Sequence, residues 1–173
     1  MQERFDIELD PFALARKGRS IAGRIPSKLL TRVVDLIGSE GEFDAQLDFG
    51  IDNHGLRFVR GSAHGRVTLQ CQRCLETYQD TLDVDFTLAL VKSEQQIAAL
   101  PEEYEPLLVE DDVLLLKDII EDEIILALPT APVHSAQECS AAQTEESQVN
   151  SPQLDEQTQR PFAGLAELMK QKK

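Results

Sequence analysis

Three segments between Phe43 and Leu90 place apolar side chains at every second position, the period of a strand with one face buried and the other wet. Phe43, Ala45, Leu47, Phe49 and Ile51 alternate with Glu42, Asp44, Gln46, Asp48 and Gly50. Asp52-Asn53-His54-Gly55 then supplies residues suited to a hairpin turn. The return carries Leu56 and Phe58 on one face and Arg57 and Val59 on the other. After a break at 61–65, Val67, Leu69 and Cys71 alternate with Arg66, Thr68 and Gln70. Beyond the turn Cys71-Gln72-Arg73-Cys74, Leu82, Val84, Phe86, Leu88 and Leu90 line the buried face of a long strand. Strands that follow one another, each with a polar opposite face, predict an antiparallel meander whose apolar side must be covered by something else.

The flanking segments supply that cover. Phe5, Ile7 and Leu9 alternate with charged residues as a short strand, and Asp10-Pro11 reads as an N-cap and first-turn proline for a helix near 11–18. A further short strand is expected over 20–25. Pro26-Ser27 opens a helix over 26–38 with Leu29, Leu30, Val33, Val34 and Ile37 on one stripe, stopped by Gly38 and Gly41. A short helix over 93–100, capped by Ser93, and a strand-like 107–109 precede a long helix over 114–128. That helix carries Leu116, Ile119, Ile120, Ile124 and Leu128 on one side, and Pro129 and Pro132 end it. The fold class expected is α+β: an antiparallel β-sheet packed against two or more helices, spanning residues 1–133. Residues 134–173 read as a largely disordered, flexible tail, because 135–160 hold too few apolar side chains to offset their ordering entropy. Within it, Phe162, Leu165, Leu168 and Met169 predict a short amphipathic C-terminal helix over 161–173, marginal on its own.

No apolar run approaches the roughly 20 residues of a membrane helix, and the N-terminus lacks a basic-then-apolar leader, so a cytoplasmic protein is expected, with no membrane partner. Three cysteines in such a chain argue against a disulfide framework. Cys71 and Cys74 have the spacing at which two thiolates reach one tetrahedral zinc, and His134 and Cys139 are the candidates to complete a set of four. His54 and His64 lie near hairpin loops and suit that role less well. The pairing of Cys-x2-Cys with His-x4-Cys is unusual, and two reduced cysteines flanking a strand turn is the commoner arrangement; zinc stays the alternative. A thioredoxin-like redox pair fits worse, since that motif opens a helix after a parallel strand.

No catalytic residues are expected. Glu102-Glu103 and Glu121-Asp122-Glu123 are not an acid/base pair, because neighbours in a helix point about 100° apart; they read as a solvated acidic face. No phosphate loop, nucleophile elbow or dinucleotide fingerprint occurs, so an enzyme with a small-molecule substrate is not indicated.

The net charge of −14 argues at first against nucleic acid, but it is unevenly distributed. Residues 11–34 hold Arg16, Lys17, Arg19, Arg24, Lys28 and Arg32 with no acid, and 53–75 hold Arg57, Arg60, Arg66 and Arg73, again with none. Residues 76–146 carry eighteen acids against Lys92 and Lys117. Candidate RNA contacts are therefore Arg16, Lys17, Arg19, Arg24, Lys28, Arg57, Arg60, Arg66 and Arg73, with Arg66, Thr68 and Gln70 sharing one strand face. Asp118, Glu121 and Asp122 are candidates for holding a basic protein partner. Ordinary solvated charge is the alternative for both sets.

Taken together, Leu69 to Cys74 at a strand end, Val84 to Phe86, Glu121 to Pro129 running into Pro132-Val133-His134, Cys139, and Pro161-Phe162-Ala163 with Leu165 resemble the large ribosomal RNA subunit accumulation protein (YceD) family across nearly the whole chain. The resemblance implies a role in the synthesis, processing or stability of large-subunit (23S) rRNA, with no known catalysis. It implies as partner the rRNA or a pre-ribosomal particle, bound directly or through a basic ribosomal protein or rRNA-modifying enzyme. Relatives with additional cysteines after the proline pair favour a metal site; here only His134 and Cys139 stand there.

Overall fold

The computed structural model describes residues 5–37, 41–102, 104–109 and 111–140. In chain order the elements are β1 (Glu8–Leu9), α1 (Pro11–Lys17), β2 (Ser20–Pro26), a single 3-10 turn (Ser27–Leu29), α2 (Thr31–Ile37), β3 (Glu42–Ile51), β4 (Arg57–Gln70), β5 (Thr77–Val91), α3 (Glu94–Ile97), β6 (Glu105–Leu108), β7 (Leu114–Leu115) and α4 (Leu116–Ala127). The fold is α+β. Strands β2-β3-β4-β5-β6 form one sheet in that order, antiparallel throughout except where β6 runs parallel to β5. β1 and β7 make a separate two-stranded antiparallel pair.

One face of the large sheet is apolar and carries the helices. Phe43, Leu47, Val59, Val67, Val84 and Leu88 pack with Phe12 and Ala15 of α1, Val33 of α2, and Leu116, Ile119, Ile120 and Ile124 of α4 in a single core. The opposite face is wet and of mixed sign. Arg24 bonds Asp44 at 3.1 Å, His64 pairs with Asp83, and Ser20 pairs with Asp48. The β3–β4 turn is closed by the Asp52 carboxylate, which accepts from the amides of His54 and Leu56, each at 2.8 Å, and from the Tyr104 hydroxyl at 3.1 Å. Burial pushes this carboxyl up, but those donors outweigh it and hold it below its ordinary value.

The break expected at 61–65 does not exist: β4 runs unbroken through it. The glycines there are strand residues under aromatic rings. Gly61 lies opposite Phe86 and Gly65 opposite Phe43, and a Cβ on Gly61 would fall 2.0 Å from Phe86 Cζ, one on Gly65 2.4 Å from Phe43 Cδ1. Each ring occupies the space a side chain would fill, so glycine is required by packing and not by a turn. Gly61→Ala is expected to destabilise the fold by about 1–3 kcal/mol through overpacking. Urea unfolding checks this, and Phe86→Leu in the same chain should recover part of the loss; a neutral Gly61→Ala refutes it.

Other boundaries shift for identifiable reasons. Pro26 belongs to β2, paired with Glu42, so the helix expected from 26 is a 3-10 turn followed by the shorter α2. Leu114 and Leu115 pair with Leu9 and Glu8, which delays α4 to Leu116. The strand near 5–9 shrinks to the two residues that find that partner. The helix expected over 93–100 is the single turn of α3; Ser93 stands at its N-cap without a side-chain hydrogen bond. The amphipathic segment 161–173 lies outside the described residues.

Candidate functional site

The β4–β5 hairpin ends in the cysteine turn. Cys71 N donates to Glu76 O at 2.9 Å and Leu75 N to Cys71 O at 2.9 Å, which pinches the chain so that Leu75 takes φ +63°, a left-handed conformation costly for leucine. After Pro129 the chain comes back to this turn. Gln72 N donates to Pro132 O at 2.8 Å, and Arg73 Nη2 donates to His134 O at 2.8 Å. A short turn closed by Cys139 N to Ser135 O, 3.0 Å, then aims Cys139 inward.

These contacts bring Cys71, Cys74, His134 and Cys139 into one cluster whose ligand atoms all lie within 4.8 Å of one another. Cys71 and Cys139 are fully buried, and His134 is 8% exposed, its ring edge-on to Tyr78 with centroids 5.2 Å apart. All three cysteines are free thiols. Burial pushes the Cys71 thiol up, but the backbone N–H groups of Cys74, Arg73 and His134, with the Cys74 thiol, bring it down to about 6. Cys74 moves the other way: burial raises it, and the neighbouring Cys71 and Cys139 add to the rise.

The donor set fits a metal ion. Zinc bonds of about 2.3 Å to sulfur and 2.0–2.1 Å to nitrogen set a tetrahedral S···N edge of about 3.6 Å. Cys74 Sγ and His134 Nε2 are 3.6 Å apart. The other ring nitrogen, His134 Nδ1, is buried with no hydrogen-bond partner among the described residues, so Nε2 is the nitrogen that the cluster offers to an ion. The four residues expected from spacing are thus together in space and can hold one ion.

The cations expected to contact RNA fall into separate groups. Arg16 and Lys17 in the last turn of α1, Arg19 opposite Phe49, Arg57 opposite Ile51 and Arg60 opposite Asp48 all sit at the β3–β4 turn end of the sheet. Arg24 and Arg66 line one cleft toward the other end, Arg73 lies beyond them in the cysteine turn, and Lys28 is exposed on the 3-10 turn. Arg66 projects from the wet face together with Thr68 and Gln70. Arg24 bonds Asp44 and lies 3.8 Å from Glu42, Arg16 lies 3.8 Å from Asp10, and Arg73 holds the His134 carbonyl. Lys17, Arg19, Lys28, Arg57, Arg60 and Arg66 have no ion pair among the described residues.

Glu121 departs from the solvated acidic face expected of its segment. It is 2% exposed. Its carboxylate accepts from the amides of Arg32 at 2.7 Å and Val33 at 3.4 Å and from Arg32 Nε at 2.9 Å, while Arg32 Nη1 reaches Asp122 at 2.6 Å. Glu121 therefore caps the N-terminus of α2 from another helix, and Asp122 is engaged by the same guanidinium. Asp118 is half-exposed, 3.3 Å from Lys117. Nothing local in the sequence links Arg32 to an acid 89 residues on.

Fold and cluster define a small α+β protein with a thiol-and-imidazole centre at the end of its sheet. Residues 59–169 match the family described as large ribosomal RNA subunit accumulation protein YceD. The large ribosomal RNA subunit accumulation protein YceD of Haemophilus influenzae is 33% identical over 164 residues, covering 94% of this chain and 94% of that protein. The chain belongs to the YceD family. No solved structure matches it. No helix among the described residues is long and apolar enough to cross a membrane.

Proposed function

We propose that the protein is a non-enzymatic ribosome-biogenesis factor of the cytoplasm, supporting the synthesis, processing or stability of 23S rRNA by binding rRNA or a pre-ribosomal particle. The observation that carries this reading is the end-to-end match to a relative named for large-subunit rRNA accumulation. The exposed cations without ion pairs, Arg19, Arg57, Arg60 and Arg66 above all, supply phosphate contacts on a rigid sheet. The tetrad would hold one zinc ion as a structural centre, with Cys71, Cys74 and Cys139 as thiolates and His134 as the neutral imidazole. Its role there would be to fix residues 132–139 against the cysteine turn, where Arg73 already clamps the His134 carbonyl.

In a deletion strain, large-subunit particles should fall relative to small-subunit particles on sucrose gradients; an unchanged profile refutes the reading. In crosslinking and sequencing, Arg19→Glu with Arg57→Glu and Arg66→Glu should reduce rRNA recovery about ten-fold or more, as loss of several phosphate contacts requires, with the circular dichroism spectrum unchanged. The second reading, an adaptor for a basic ribosomal protein or rRNA-modifying enzyme, draws on the acid-rich residues 76–123 and on the acids interleaved with the cations of the wet face. RNA recovery at background in wild type and variant, with a protein partner retained by both, establishes that reading instead.

A further inference from the structure

Beside the tetrad, between the C-terminal ends of α2 and α4 and the last residues of β4, the surface opens into a groove of about 770 Å³. Leu36, Ile37, Ile125, Leu128 and Pro132 form its apolar wall, with Leu36 left 62% exposed, and Thr68, Gln70, Gln72 and Thr77 its polar one. Asp35 stands on the rim with no ion pair among the described residues. A trough with one apolar and one polar wall, at the meeting point of two helix ends, is the kind of surface that takes an amphipathic segment.

The chain itself supplies a candidate. Its described part ends at Ser140, one residue past Cys139, whose sulfur sits within 4.8 Å of the Cys71 sulfur, and Gln72, next to Cys71, is part of the groove wall. Residues 141–173 therefore depart from the groove's edge. Within them Phe162, Leu165, Leu168 and Met169 make one apolar stripe, followed by Lys170, Lys172 and Lys173, of opposite sign to Asp35. The family match extends to residue 169 and so takes in the stripe. Twenty residues separate Ser140 from Pro161. Even a random chain of that length averages about 25 Å end to end, which spans the distance and holds the segment at about millimolar effective concentration.

We infer that residues 161–173 dock intramolecularly into this groove, apolar stripe inward and lysines toward Asp35. Tethering raises the local concentration of the segment, so that docking needs only a modest intrinsic affinity.

The chain contains no tryptophan, so Phe162→Trp in the full-length protein gives a single reporter. Its emission should be blue-shifted and several-fold less quenched by acrylamide than free indole, at every protein concentration. Leu36→Glu, at a side chain already exposed, and separately Leu168→Asp, should each return the emission to that of a solvated indole while the far-ultraviolet circular dichroism stays unchanged. A solvated emission without either substitution overturns the inference. So does a blue shift that grows with protein concentration, which assigns the groove to a second copy, or one that appears only when ribosomal particles are added. A blue shift that survives both substitutions overturns it as well.

Discussion

Protein purified without chelator is expected to contain about one equivalent of zinc, and Cys74→Ser or Cys139→Ser to contain less than about a fifth of that, since a structural tetrahedral site uses all four ligands. The thiolate that zinc requires is already favoured at Cys71, brought to about 6 by the amides that face it, and these donors come from backbone that the turn holds in place. Stripping the ion should leave the sheet intact and release residues 132–139, because the apolar core lies on the helix-bearing face and does not depend on the tetrad. With metal a thousand-fold above its dissociation constant, the folded state gains about 4 kcal/mol, so chelation should lower the unfolding midpoint measurably and open a protease site after Pro129. Elemental analysis and limited proteolysis read both effects. Metal-free protein that resists cleavage there, with stability unaffected by chelator, excludes the centre.

Replacing Glu121 by alanine is expected to cost about 3 kcal/mol, the range for a buried carboxylate with charge-assisted bonds whose partners are left behind. The deciding comparison is with Arg32→Ala. The Arg32 side chain is half-exposed and reaches water when unpaired, but the amides of Arg32 and Val33 at the start of α2 do not. Arg32→Ala should therefore cost about 1 kcal/mol, as a partly exposed pair does, and Glu121→Gln should fall between, because an amide oxygen still accepts but carries no charge. Urea unfolding of the three variants orders them. Equal costs for Glu121→Ala and Arg32→Ala would show that the salt bridge, and not the helix cap, is what Glu121 supplies.

Much of the sheet was legible because alternation is a local signal: β3 and β5 read directly from residues 43–51 and 82–90. β4 was legible only in pieces, since Gly61 and Gly65 look like a loop until the rings of Phe86 and Phe43, from the neighbouring strands, are placed over them. The parallel pairing of β6 and the two-residue pairing of β1 with β7 carry no sequence period at all. The tetrad was visible as four residue types at suggestive spacing, but not its closure, which depends on Gln72 bonding Pro132 and on Arg73 bonding His134 across about sixty residues. For the same reason Glu121 read as surface charge: its partners are backbone amides of a helix made much earlier, and the binary pattern of α4 gives no hint of them.

The distance in sequence between Glu121 and the amides it caps has a consequence for synthesis. α2 is seven residues long, too short to persist alone in water. The carboxylate that completes its first turn leaves the ribosome 89 residues after Arg32, about 4–18 s later at common elongation rates. During that interval β3, β4 and β5 emerge to join β2, which precedes α2, while the apolar face that α4 will cover stays open. The nascent chain therefore completes its core late, when α4 arrives and orders α2 along with itself.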